Sequence, residues 1–249
     1  MKPAIVAVVN VRMGSSRLPG KALRELAGKP LLQLLIERLR RARHVERLVV
    51  ATSDRSENDA IEAFCALHQI ECFRGSEPDV LGRTLAALAW AGADIGVIVF
   101  GDGPLIDPAV VDYMIGVFMR AEPRFEFVGN DLVTTYPPGM EVEVFSARAL
   151  ADADKRCSDA ETREHGTLYI RQNPERYRLL NVEAPPHLRR PDLELEVDTE
   201  ADLAVIETIV RNFAGAYFSL EEIITFLDAR PEIGAANRGV VRRWKSFRS

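Results

Sequence analysis

Four short runs of β-branched and aliphatic residues alternate with segments of helical period through the first half of this chain. That rhythm limits the fold more than any other feature. The runs are AIVAVVN (4–10), ERLVVATS (46–53), IECFRGS (70–76) and IGVIVFGD (95–102). Between the first two, KPLLQLLIERLRRARHV (29–45) sets Leu31, Leu32, Leu35, Ile36 and Leu39 on one helical face. DAIEAFCALHQ (59–69) and PDVLGRTLAALAWAG (78–92) supply two more helices. DPAVVDYMIGVFMRA (107–121) opens on Asp107 as an N-cap with Pro108 at the first helical position. A β-α-β-α order predicts an α/β fold: a mostly parallel sheet with helices on both faces and ligands beyond the carboxyl ends of the strands.

The pattern changes after about residue 125. FEFVGND (125–131), MEVEVFS (140–146) and YRLLNVEA (177–184) read as strands, broken by TTYPPG and APPHLRRPD. They predict an inserted mixed β flap over about residues 126–190, within a single domain spanning 1–249. Alternating Leu193, Leu195 and Val197 predict one further strand, followed by helices over 198–213 and 219–230.

A net charge of -5 argues against a general nucleic-acid binder, although a local basic pocket for one nucleotide is compatible with it. Nothing approaches a run of about 18 apolar residues, so no membrane-spanning helix is expected. MKPAIVAVVN leads straight into a cationic loop and reads as a buried strand, not a signal peptide. Cys65, Cys72 and Cys157 have no metal-ligand spacing; Cys65 and Cys72 sit in apolar surroundings and read as buried thiols, and the compartment expected is the reducing cytoplasm.

Two polar clusters fall beyond strand ends. After the first strand, RMGSSRLPGK gathers Arg12, Arg17 and Lys21 around Gly14 and Gly20, with Ser15 and Ser16 as hydroxyl donors. Bare backbone N–H groups reinforced by long cations are what a phosphate needs. A Walker A loop is excluded, because it would need Gly at Ser15 and Ser or Thr at Ala22. After the fourth strand, FGDGPLIDP places Asp102 between two glycines. A carboxylate there calls for a cation, and Mg²⁺ prefers one or two carboxylates with phosphate oxygens and water. In LELEVDTEADL, Asp198 reads either as the cap of the next helix or as a second carboxylate for the same ion.

VRMGSSRLPGKAL, RGSEPDVLGR, GDGPLIDP, PPGMEVEVFS, REHGTLYIRQNPE and VDTEADL, in that order, resemble the cytidylyltransferase-like proteins of the SpsF type. These are relatives of the acylneuraminate and 3-deoxy-manno-octulosonate cytidylyltransferases. The resemblance covers most of residues 4–210 and implies a Rossmann-like sheet of the nucleotide-diphospho-sugar transferase type. It implies that Arg12, Ser15, Arg17 and Lys21 grip a triphosphate, with Arg12 and Lys21 nearest the reacting phosphates. Asn10, Gly14, Arg74, Gly75, Asp79 and Arg83 complete the nucleotide site. Asp102 and Asp198 match the family's metal-binding aspartates. By the same resemblance, Tyr136, Glu141, Glu143, Arg163, Glu164 and His165 would face the sugar. The chain departs from the pattern at Asn10, Gly103 and Gly166, which leaves the phosphate and metal groups intact and bears on the second substrate.

The resulting expectation is a Mg²⁺-dependent transfer from CTP to a sugar for a surface polysaccharide or glycoconjugate; the sequence leaves the oligomeric state open, and the resemblance implies a homodimer formed through the flap. Arg12, Lys21, Asp102 and Asp198 would be catalytic, with His165 as the fallback base. A glycosyltransferase would place its metal on a D-x-D pair, and GDG offers one aspartate only. A non-catalytic nucleotide binder has no need of two metal carboxylates. The stretch beyond residue 210 carries no motif that assigns it a role.

Overall fold

Residues 2–242 are described by the structure, a computed structural model, and the first aliphatic run forms β1 (Ile5–Asn10). The cationic loop follows, then a minimal hairpin of β2 (Glu25–Leu26) and β3 (Lys29–Pro30) that leads directly into α1 (Leu31–Leu39). Three more β-α units come next. They are β4 (Arg47–Ser53) with α2 (Asp59–Leu67), β5 (Glu71–Gly75) with α3 (Val80–Trp90), and β6 (Ile95–Phe100) with α4 (Pro108–Arg120). The middle of the chain holds β7 (Phe127–Gly129), β8 (Val142–Ser146), α5 (Ala147–Arg156), α6 (Ala160–Arg163), α7 (Leu168–Gln172) and β9 (Leu179–Asn181). Helices α8 (Glu200–Asn212), α9 (Leu220–Asp228) and α10 (Pro231–Ala235) complete the described residues.

Seven strands form one sheet in the order β5-β4-β1-β6-β8-β7-β9. The first four are parallel, β8 runs against both its neighbours, and β7 pairs in parallel with β9. The strands of the 126–190 region therefore continue the main sheet at one side. Side chains alternate across β1 because successive residues point to opposite faces. Ile5, Ala7 and Val9 share a core with α1, α2, α4, α8 and α9, whereas Val6 and Val8 pack with α3, α5 and α7. All five are 0–1% exposed, and full burial of a Val or Ile contributes roughly 1.5–3 kcal/mol.

Parallel register places Asn10 beside Ala51 and Phe100, and Ser53 beside Gly75, so four carboxyl ends share one sheet edge. Both polar clusters leave the sheet there.

The structure corrects one element. Residues Leu193–Val197 form no strand; their N–H groups are spent singly, Leu195 donating to Pro138 O and Val197 to Asp102 O, each at 2.8 Å. Helices α5, α6 and α7 and the β2–β3 hairpin were not anticipated from the sequence. Cys65 and Cys157 are buried, Cys72 is partly buried, and all three are free thiols. No helix among the described residues is long and apolar enough to cross a membrane.

Candidate active site

The loop after β1 is closed by its own backbone. Ser15 and Gly20 both donate to Met13 O at 2.9 Å, Met13 N donates to Asn58 Oδ1 at 2.8 Å, and Gly20 takes φ 71°, a conformation glycine adopts without strain. Lys21 follows in a short 3-10 turn and is thrown back across the sheet edge. Its Nζ donates to Val197 O at 2.8 Å and Asp198 Oδ1 at 3.0 Å, and lies 3.4 Å from Asp102 Oδ2. Burial pushes the ammonium down, but Asp102 and Asp198 outweigh it and hold the pKa above the ordinary 10.5. Lys21 is thus a fixed cation. Arg17 joins it, with Nη2 donating to Asp198 Oδ2 at 2.5 Å.

Asp198 does not cap α8. Thr199 is the N-cap, and its hydroxyl and Asp202 form a reciprocal capping box. Asp198 is left facing the two cations. Asp107 does cap α4, accepting from Ala109 N at 2.8 Å.

Beside this cluster lies a cavity of about 560 Å³ whose walls include Asn10, Arg12, Arg83, Glu143, Glu164 and His165. That volume suits a small-molecule ligand. Arg83 is buried; it donates to Ser76 O at 2.8 Å and to Asn10 Oδ1 at 3.2 Å, and Asn10 donates to Thr84 Oγ1 at 3.1 Å. Burial and the charge of Arg12 lower the Arg83 pKa. Arg12 is nearly half exposed and sits 3.6 Å from both Glu77 and Glu164, too long for strong pairs. Gly75 closes this end, since a Cβ there would lie 3.0 Å from Arg83 Cγ.

Asp79 and Arg163 serve the wall. Asp79 caps α3 through Gly82 N at 2.8 Å, and Arg163 clamps it at 3.0 and 2.7 Å while also holding Asp154 at 2.6 Å. Three other residues point away from the cavity. Arg74 turns to α2, where Asp59 and Glu62 each hold it at 2.7 Å. Tyr136 lines a separate cavity near Tyr113 and Asp107, and burial raises its phenol to about 12. Glu141 accepts from Gly139 N at 2.7 Å in its own turn.

Glu143 was legible in the sequence, but the groups that hold it, Thr167 and Arg171 with its partner Asp131, were not. Glu143 accepts from Thr167 Oγ1 at 2.7 Å and from Arg171 at 2.8 Å, and Arg171 also holds Asp131 at 2.8 Å. Arg242, which enters behind Asp198, was also missed. The signal was present in LELEVD, where Glu194, Glu196 and Asp198 alternate inside a buried segment and must meet a cation. Gly103 faces Gly139 O, which would lie 2.6 Å from an added Cβ. A side chain at this position would therefore run into backbone.

The chain matches the family described as cytidylyltransferase over residues 6–225. It is 34% identical over 235 residues to the spore coat polysaccharide biosynthesis protein SpsF of Bacillus subtilis, covering 92% of this chain and 95% of that one. An uncharacterised protein of Methanocaldococcus jannaschii is 32% identical over 244 residues, 98% of each chain. Among solved structures, a cytidylyltransferase from Leptospira borgpetersenii superposes with a TM-score of 0.90 at 28% identity, over 96% of this chain and 100% of that one.

Proposed function

Since the chain belongs to the cytidylyltransferase family, we propose that it transfers the cytidylyl group of CTP to a sugar for polysaccharide or glycoconjugate synthesis. One observation carries this reading. Lys21 and Arg17, from the loop after β1, converge on Asp198, and Lys21 also approaches Asp102, at the same sheet edge as the cavity holding Asn10, Arg12 and Arg83.

In this reading the sugar oxygen attacks the α-phosphorus in line, and the bond to the bridging oxygen breaks to release pyrophosphate. Such chemistry asks a protein mainly for positioning and charge neutralisation. Asn10 and Arg83 frame the nucleoside end. Arg12, Arg17 and Lys21 meet the phosphates, and the raised pKa of Lys21 keeps it a cation, not a base. Glu143, Glu164 and His165 line the acceptor side.

Two carboxylate oxygens already lie within 3.4 Å of one ammonium, so the donor set suits a hard divalent cation. No group of three or more His, Cys, Asp or Glu among the described residues holds a metal alone. Asp102 and Asp198 would therefore hold Mg²⁺ together with the triphosphate. Bound there, Mg²⁺ would act as a Lewis acid on the phosphates.

The test is pyrophosphate release from CTP, UTP, ATP and GTP against a panel of sugars and sugar phosphates. Release that needs CTP and one acceptor supports the reading. CTP that neither binds nor reacts, while a nucleotide sugar does, would replace it with glycosyl transfer.

A further inference from the structure

Arg242 lies beyond the stretch that matches the family, yet its side chain is fully enclosed beside Asp198. Its Nη2 reaches Asp202 Oδ1 at 2.6 Å and its Nη1 reaches Asp202 Oδ2 at 3.0 Å. Nη1 also lies 3.4 Å from Glu196 Oε1 and 3.9 Å from Asp198 Oδ2, and Nε lies 3.4 Å from Glu194 Oε2. One guanidinium thus meets four buried carboxylates.

Two contacts tie it to the candidate phosphate site, one through the adjoining peptide and one through hydrogen bonds. The preceding carbonyl, Val241 O, accepts from Arg17 Nη1 at 2.7 Å. Asp202 Oδ2, held by Arg242, accepts from the backbone N–H of Asp198 at 3.0 Å. Arg242 therefore sits behind both the carboxylate and the arginine that would receive phosphate. A triphosphate brought to this edge adds negative charge next to Glu194, Glu196, Asp198 and Asp202, and like charges gathered in a buried place repel unless a cation balances them.

We propose that Arg242 is a positioning residue of the triphosphate site. It fixes Asp198 through Asp202 and supplies the positive charge behind it. The proposal rests on the reading that a nucleoside triphosphate binds the 11–21 loop.

The experiment is calorimetric titration with CTP and with CMP, in EDTA, of the wild-type chain, Arg242→Gln and Arg242→Lys. CMP shares the base, ribose and first phosphate but lacks the two outer phosphates. Arg242→Gln should weaken CTP at least about tenfold, the low end for charged hydrogen bonds, and leave CMP within about twofold. Arg242→Lys keeps the charge but loses the planar fork, so its CTP affinity should fall between the two. Equal losses for both nucleotides, or none for either, would make Arg242 a residue of the fold alone and overturn the proposal. If Arg242→Gln does not fold, Arg242→Lys decides by the same ratio, and failure of both to fold also overturns it. A wild-type chain that binds no CTP either in EDTA or in Mg²⁺ removes the functional reading and this proposal with it, and binding that needs Mg²⁺ moves the same comparison of variants into Mg²⁺. Wild-type binding with an unchanged ratio in the variants removes this proposal only.

Discussion

Asp198→Asn keeps the outline of the side chain and deletes the charge that Lys21 Nζ meets at 3.0 Å and Arg17 Nη2 at 2.5 Å. Hydrogen bonds to charged groups contribute about 1.5–3 kcal/mol each. Both cations keep other anchors: Lys21 retains Val197 O and Asp102, and Arg17 retains Val241 O. Helix α8 keeps its cap, because Thr199 and Asp202 form it. Stability should therefore fall by only about 1–2 kcal/mol, less than the sum of two such bonds. Without metal, CTP should bind as well as to the wild type or more tightly, since a carboxylate that competes for Lys21 and Arg17 is gone. Pyrophosphate release in Mg²⁺ should nevertheless drop at least about 100-fold, equivalent to about 2.7 kcal/mol of transition-state stabilisation. Asp102→Asn should behave alike, and the double variant should be little worse than either, as residues acting as one unit are non-additive. The assays are urea denaturation, calorimetry in EDTA and coupled detection of pyrophosphate with the acceptor found in the sugar panel. An Asp198→Asn chain that releases pyrophosphate within a few-fold of wild type, and still responds to Mg²⁺, refutes the shared metal site.

Thr199→Ala should cost about 0.5–2 kcal/mol of stability through the lost cap while leaving CTP affinity unchanged; a large affinity loss would show that the cap itself orients Asp198. Burial raises the Asp79 carboxyl, but the Arg163 hydrogen bonds outweigh it and hold the pKa below the ordinary 3.8. The stability it contributes is then present above the ordinary value and lost as pH falls through the lowered one. Asp79→Asn should thus be less stable than wild type near neutrality and converge with it as pH falls below the ordinary carboxylate range, and a gap that persists in strong acid would contradict the assignment. Gly103→Cys drives a Cβ against Gly139 O and should destabilise the chain by about 1–3 kcal/mol in urea; unchanged stability would mean that the turn at Gly139 yields.

Legibility followed how much apolar surface each element shows. β1, β4 and β6 could be read directly because unbroken aliphatic runs have few other uses, and α1 because Leu31, Leu32, Leu35, Ile36 and Leu39 are all buried on one face. α5 escaped because its buried residues are Ala149, Leu150 and Ala153, and two alanines leave a faint period. The strand expected over 193–197 misread a two-sided burial. Its leucines and valine enter the apolar core while Glu194 and Glu196 turn to Arg242, so alternation was real but served no ladder. In the site, the loop from Arg12 to Lys21 was visible because its cations lie close together in the chain. Arg171 and Arg242 were not, because their partners lie 28 and 40 residues away, and chain distance hides a pair held by buried charge. Arg74 was misplaced for the opposite reason: a cation next to the site in sequence found nearer carboxylates on α2.

The meeting of Lys21, Asp198 and Arg242 sets an order for events on the ribosome. At about 5–20 residues per second, Arg242 is made on the order of ten to forty seconds after Lys21. The parallel half of the sheet, β5-β4-β1-β6, draws only on residues up to Phe100 and has its strands in hand early. Until Asp198 is made, Arg17 lacks its carboxylate and Lys21 has Asp102 alone, which leaves a cationic patch on the nascent chain. Any polyanion nearby, the ribosomal RNA included, is a competitor for that patch until Asp198 arrives and Arg242 is seated behind it.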